Sequence, residues 1–234
     1  MAYKTLKLLL AFSLVFATGC SSRNTYPFDG LPKSVGTGSY AFDVSNPDLV
    51  VAFRDYVVVG RIDEYVGTRY PDSLSDPQGD YRVDIRAPQT DYEVTILEVI
   101  KGNLKAGQKV PITKNGGIAK DKSRVILDGE GDFLPEVGGV YIFVVSVYPD
   151  RKTLVVYDGY DVIPLESSVV TELNRVEEAK VSNKQALIRN CLKSSDVFVR
   201  YVEAAENEDA AAGFPSHIQE YVQNRERFKS VYEK

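Results

Sequence analysis

The sequence predicts an α+β chain, a small antiparallel β-barrel followed by a C-terminal helical segment. Three observations predict it. Between residues 56 and 165, short runs rich in Val, Ile, Tyr and Thr alternate with breaks containing Gly, Pro and Asp, the pattern of half-buried strands joined by turns. From Glu166 onward the apolar spacing changes to three and four residues, which is helical. The chain has 234 residues, which permits one domain of ordinary size or one domain with an appendage.

The first element, residues 1–19, is not part of that fold. Lys4 and Lys7 precede an apolar run from Leu8 to Ala17, and small residues lead into Cys20. Basic start, short apolar core and small-residue exit make a signal peptide. The run is shorter than the roughly 20 apolar residues that span a bilayer. Ala17-Thr18-Gly19-Cys20 resembles the lipobox of bacterial lipoproteins, with Ala17 where that family usually has Leu. The resemblance implies cleavage before Cys20, lipidation of its sulfur, and anchorage to the extracytoplasmic face of the cell membrane. A diacylglycerol thioether brings two chains, which hold a protein where a single chain is marginal.

Residues 20–47, rich in Ser, Gly, Pro and Asn, are expected to be a flexible tether. The β-domain is expected over 48–165. Asn46 as cap and Pro47 at the first helical position open one or two turns of helix. Tyr56–Val66 is the first strand, with Gly60 marking a bulge or sharp bend. Residues 67–89 form a long polar excursion. Asp91–Lys101 is a central strand, with Tyr92, Val94, Ile96 and Ile100 on one face and Leu97 and Val99 on the other. Further strands are expected at Gln108–Thr113, Ser123–Leu127, Tyr141–Tyr148, Thr153–Tyr157 and Tyr160–Leu165, with a hairpin turn at 149–152. The helical tail, 166–234, has caps at Ser167 or Ser168, a capping box at Ser182–Gln185, a cap at Ser195 and a second capping box at Ser216–Gln219.

Within 56–148, Val57-Val58-Val59-Gly60 is followed by Tyr92–Ile100 with Lys101-Gly102, and then by Gly138-Gly139 before Tyr141-Ile142-Phe143. This order resembles the small OB-type barrels of netrin-like and metalloproteinase-inhibitor domains, and implies an OB-like fold. Those inhibitors bind zinc through a free N-terminal Cys amine and carry disulfides. Here lipidation would occupy Cys20 and leave Cys191 alone, so a fold is implied and no inhibitory mechanism.

Chemistry is sparse. The only His is His217, at a helix start, and no Gly-x-Ser-x-Gly elbow accompanies it, so a nucleophile–His–acid triad is not expected. One His and one free Cys do not fill a zinc site. Cys191 falls on an apolar helical stripe, the place of a small core residue. Asp128, Glu130 and Asp132 alternate with glycines, the one candidate for Ca²⁺, but Phe133 stands where an EF-hand has Gly and Gly139 where it has its bidentate Glu. A solvated acidic loop is the simpler reading.

Without residues 1–19 the chain has 26 basic and 33 acidic side chains, net −7, which speaks against nucleic acid as a partner. No catalytic residue and no cofactor is expected. The expected function is a non-enzymatic interaction module of the cell envelope, with the membrane as one partner and an envelope protein as a possible second. Two alternatives stay open: an envelope hydrolase using paired carboxylates, and an assembly factor acting through the C-terminal helices.

Overall fold

Strands with apolar side chains on both faces need cover on both sides, and that requirement shapes the molecule. A computed structural model describes residues 27–36, 42–70, 88–148, 153–157, 159–207, 214 and 218–219. In chain order these form β1 (Lys33–Val35), α1 (Pro47–Phe53), β2 (Tyr56–Arg69), β3 (Gln89–Lys101), β4 (Lys109–Asn115), β5 (Gly117–Ile118), β6 (Val125–Leu127), β7 (Val140–Tyr148) and β8 (Thr153–Val156). A 3-10 turn (Gly159–Asp161), β9 (Val162–Pro164), α2 (Ser167–Glu178), α3 (Lys184–Leu192) and α4 (Asp196–Glu206) follow.

The barrel runs β2-β3-β4-β8-β7 and closes by pairing β7 back to β2, with β9 added beside β7. Closure corrects the expectation of an antiparallel barrel, because β4 and β8 run parallel, from Ile112↔Leu154 to Lys114↔Val156. The reason is parity. Directions can alternate all the way round only when the strand number is even, so five strands force at least one parallel joint. The expected strand at 123–127 also lies outside the barrel. It pairs with β5 and, in parallel, with β1 as a separate three-stranded sheet. Part of the expected tether is thus built into the domain, since β1 comes from it and Phe42 and Val44 pack on the core.

Two cores share the barrel wall. Inside are Tyr56, Val58, Ile62, Tyr92, Val94, Ile96, Phe143, Val145 and their neighbours. Outside, Val57, Val59, Ile142 and Val144 meet Leu173, Ile188, Leu192, Phe198 and Tyr201 of the helices. The helical segment therefore shares its core with the β-domain.

The face assignment expected for β3 holds through Leu97 and fails at Val99 and Ile100. Val58 faces Val99, Val59 faces Glu98 and Gly60 faces Ile96, so Leu97 is an extra residue on its strand, a β-bulge. Past it the alternation inverts: Val99 turns to the barrel interior, and Ile100 joins Leu97 in the helix-side core. The bulge also faces Leu97 O towards α3, where Gln185 Nε2 donates to it at 2.7 Å. Gln185 Nε2 donates to Glu98 Oε2 at 3.0 Å as well, and Arg189 Nη2 to Glu98 Oε1 at 2.6 Å. Gln185 is accordingly not part of a capping box, and Asn183 precedes α3 without a side-chain cap bond.

Other boundaries move for local reasons. β2 continues to Arg69, where Arg69 Nε donates to Asp91 Oδ2 at 2.7 Å, so only 71–87 of the expected excursion lies outside the described residues. The 149–152 turn and most of the expected final helix, with His217, also lie outside them. Asn46 caps α1, accepting from Asp48 N at 3.0 Å, and Lys101 Nζ donates to Val51 O and Arg54 O at the helix end. Gly102 follows at φ +96°, and a Cβ there would run into the Tyr56 ring. The residue before α2 is Glu166, not Ser167 or Ser168. Its carboxylate accepts instead from Ser195 Oγ and Val197 N, while Ser195 Oγ caps α4 by accepting from Phe198 N at 3.1 Å. The Ser195 hydrogen bond above all holds the Glu166 carboxyl below its usual range.

Gly102→Ala meets both strain and overlap and is expected to lower stability by about 2 kcal/mol or more in urea unfolding. Gly107→Ala, at φ +82° in open space, is expected to lose about 1 kcal/mol from backbone strain alone. Because the Glu166 pKa is depressed on folding, the advantage of wild type over Glu166→Gln should be full above the ordinary value of 4.5 and shrink as pH falls through the lowered one. A pH series of unfolding curves checks the sign.

Candidate functional site

α4 lies on the outer core beside β9, and residues 44–47 cross its end. Between them is a groove of about 490 Å³, inside the range of small-molecule sites. Val44, Ser45, Ile163 and Val197 line it, and Phe133, Tyr160 and Tyr201 supply aromatic surface. Arg200 reaches it from the exposed side of α4. The described lining holds no Asp, Glu, His or Cys.

Two buried ion pairs stand behind the walls. Lys114 Nζ meets Asp132 Oδ1 at 2.7 Å, with side chains 1% and 0% exposed. Asp132 also accepts from Asp128 N at 3.0 Å and Phe133 N at 2.7 Å, which fixes the chain between Gly131 and Phe133. Gly159 passes so close that a Cβ there would sit 2.8 Å from Asp132 Cα. Next to it, Asp161 receives Arg54 Nε at 3.0 Å and Nη2 at 2.7 Å, and Tyr157 N at 3.2 Å. The Arg54 guanidinium lies between the Phe53 and Tyr157 rings, at 4.9 and 5.1 Å from their centroids. A buried charge persists when it is paired and hydrogen-bonded, and these two pairs hold Phe133 and Tyr160 in place from behind.

The barrel surface over β2, β3 and β4 is charged but self-paired. Asp63 takes Thr95 Oγ1, Lys109 Nζ and Arg61 Nε, and Arg61 also pairs with Glu177 of α2. Burial pushes the Asp63 carboxyl up, and these three donors together more than offset that, so its pKa is lowered. Lys109 also bonds Glu93, and Arg69 bonds Asp91. Arg200 has no such partner among the described residues.

The residues singled out from sequence are not brought together. Asp132 turns inward to Lys114, Asp128 contributes its backbone N–H, and Glu130 stays exposed. Among the described residues, no group of three or more His, Cys, Asp and Glu is placed to hold a metal ion. Cys191 sits half-buried against the helix-side core, its thiol 3.6 Å from Val169 O, and burial raises its pKa. Cys20 lies outside the described residues. A second cleft of about 200 Å³ under β1 is lined by Asp29, Lys33 and Glu136 around Phe28 and Tyr141. Burial raises the Tyr141 pKa, and its hydroxyl oxygen accepts from Glu136 N at 3.1 Å.

Sequence reasoning passed over Arg54, Lys114, Asp161 and Arg200. Lys114 in a strand and Asp161 before one are the faint signals available: a charge inside an apolar β pattern is buried only with a partner. No protein-family model matches the chain, and no curated protein matches it.

Lys114→Met and Asp132→Asn are each expected to lose about 3–5 kcal/mol, as a lone buried charge remains. The double variant should lose less than the sum of the two, because it leaves no unpaired charge in the interior. A denaturant double-mutant cycle measures the coupling.

Proposed function

We propose that this chain is a membrane-anchored lipoprotein of the extracytoplasmic face, whose folded part is a non-enzymatic binding module of the cell envelope. The observation that carries the binding reading is the groove, an apolar cleft braced by buried ion pairs whose described lining offers no carboxylate, imidazole or thiol. A hydrolase working there would need two carboxylates flanking the scissile bond. The address rests on the sequence of residues 4–22. Among the described residues no helix is long and apolar enough to cross a membrane, and the lipid on Cys20 is the anchor this reading gives the chain. The five-strand barrel also supports an OB-type assignment, since OB folds are five-stranded Greek-key barrels.

The assembly-factor alternative rests on the aromatic stripe of the last expected helix, which lies mostly outside the described residues; the apolar faces of α2–α4 are occupied, with Val169, Leu173, Ile188, Leu192, Phe198 and Tyr201 buried against the barrel. Truncation after Leu165 would open the core and say nothing about partners.

Cys20→Ser tests the anchor. The wild-type chain should sediment with membranes and carry acyl mass, and the variant should appear in the soluble fraction. Membrane partition of the variant equal to wild type would end the lipoprotein reading.

A further inference from the structure

We infer that the groove between α4 and the Gly159–Pro164 segment binds a single-chain amphipathic carboxylate, its head on Arg200 and its aliphatic body along Val44, Ile163 and Val197. Three features point there. The first is charge. In a chain with net charge −5, almost every other described arginine is tied up: Arg54 to Asp161, Arg61 to Asp63 and Glu177, Arg69 to Asp91, Arg175 to Glu172, Arg189 to Glu98. Arg200 has neither an ion pair nor a hydrogen bond among the described residues, and it lines the groove. A guanidinium presents a planar fork that matches a carboxylate in bidentate fashion. A lone arginine, with no second cation in the described lining, suits a monoanion better than a doubly charged phosphate.

The second feature is the character of the remaining surface. The rest of the described lining is mostly aliphatic and aromatic, and it contains no carboxylate to repel the ligand head. A volume of about 490 Å³ accommodates a small organic molecule. The third is rigidity. Because Lys114–Asp132 and Arg54–Asp161 brace the walls from within the protein, little ordering remains to be done on binding, which is the condition for useful affinity from a modest site. The choice of an aliphatic body rests on the membrane address proposed above, which places the groove beside a source of single-chain acyl anions.

The test uses the full-length chain carrying Cys20→Ser, so that no protein-borne acyl group competes, with decanoate as probe and 1-decanol as its neutral counterpart. Calorimetry should show saturable binding of one decanoate per chain. Arg200→Gln should weaken decanoate about tenfold or more, the loss of a charge-assisted pair, and leave decanol unchanged. Arg175→Gln, on exposed α2, should change neither. Methyl NMR of the otherwise unsubstituted chain should place the largest decanoate shifts at Val44, Ile163 and Val197, a readout that requires no groove variant to fold. Non-saturating decanoate uptake, equal affinity in Arg200→Gln, or shifts centred elsewhere would each overturn the inference. Membrane release of Cys20→Ser is scored separately, so a groove that ignores decanoate in a chain that does lose its anchor defeats this inference alone.

Discussion

The pairing of β2 with β7 is the constraint on which the rest depends. Along Tyr56↔Val145 to Arg61↔Val140, alternate side chains enter two different cores, Val58 and Phe143 inward, Val57, Val59, Ile142 and Val144 outward. A closed barrel with a polar exterior would need no helices. This one has a fully apolar outer stripe on its closing seam, and leaving four such residues in water would forgo roughly 1.5–3 kcal/mol for each. α2, α3 and α4 are the cover, and α1 seals the end where Val50 and Val51 join the same core. The groove lies where that cover meets β9, so its place follows from the seam.

Cover alone does not fix the orientation of the helices. The bulge at Leu97 supplies a polar reference point, because Leu97 O and Glu98 face α3 at a position where a regular strand would present one apolar side chain. Gln185 and Arg189, one helical turn apart, take both. Glu98 is itself buried, so an alternative seating of α3 would leave it without its cation. Glu166 works similarly between α2 and α4, by answering Ser195.

What was legible in the sequence was what neighbours along the chain decide. The Asn46–Pro47 helix start, the Ser195 cap and the strand at Tyr141–Tyr148 depend on residues within a few positions, and Gly60 stands at a register shift where a Cβ would meet Val94 Cγ1 at 2.5 Å. The Leu97 bulge was invisible because it arises from the register with β2, which no periodicity in β3 alone contains. Ser182–Gln185 has the letters of a capping box, yet the Gln185 amide finds a stronger demand on the barrel, where a bulged carbonyl and a buried carboxylate await it. The candidate site was the least legible part. Asp132 had the spacing of a cation ligand, but Lys114 is 18 positions earlier along the chain, and only the fold reveals that the two are a pair. Arg200 is an ordinary helix-surface arginine until β9 is placed beside it.

The parallel contact between β4 and β8 has a temporal meaning. β4 is complete at Asn115, but its second neighbour does not exist until Val156 has been made and the β7–β8 hairpin has turned back. Until then β2, β3 and β4 form an open three-stranded meander, with Ile112 and Val110 on one side and the bare edge of β2 on the other. Such edges invite pairing with another chain. Contacts of this sequence separation also form late, since the intervening loop must first be closed. The interval between residues 115 and 156 is therefore the period in which a nascent copy is most exposed to its own kind, and the Lys114–Asp132 pair can form only after most of the wall that buries it has been made.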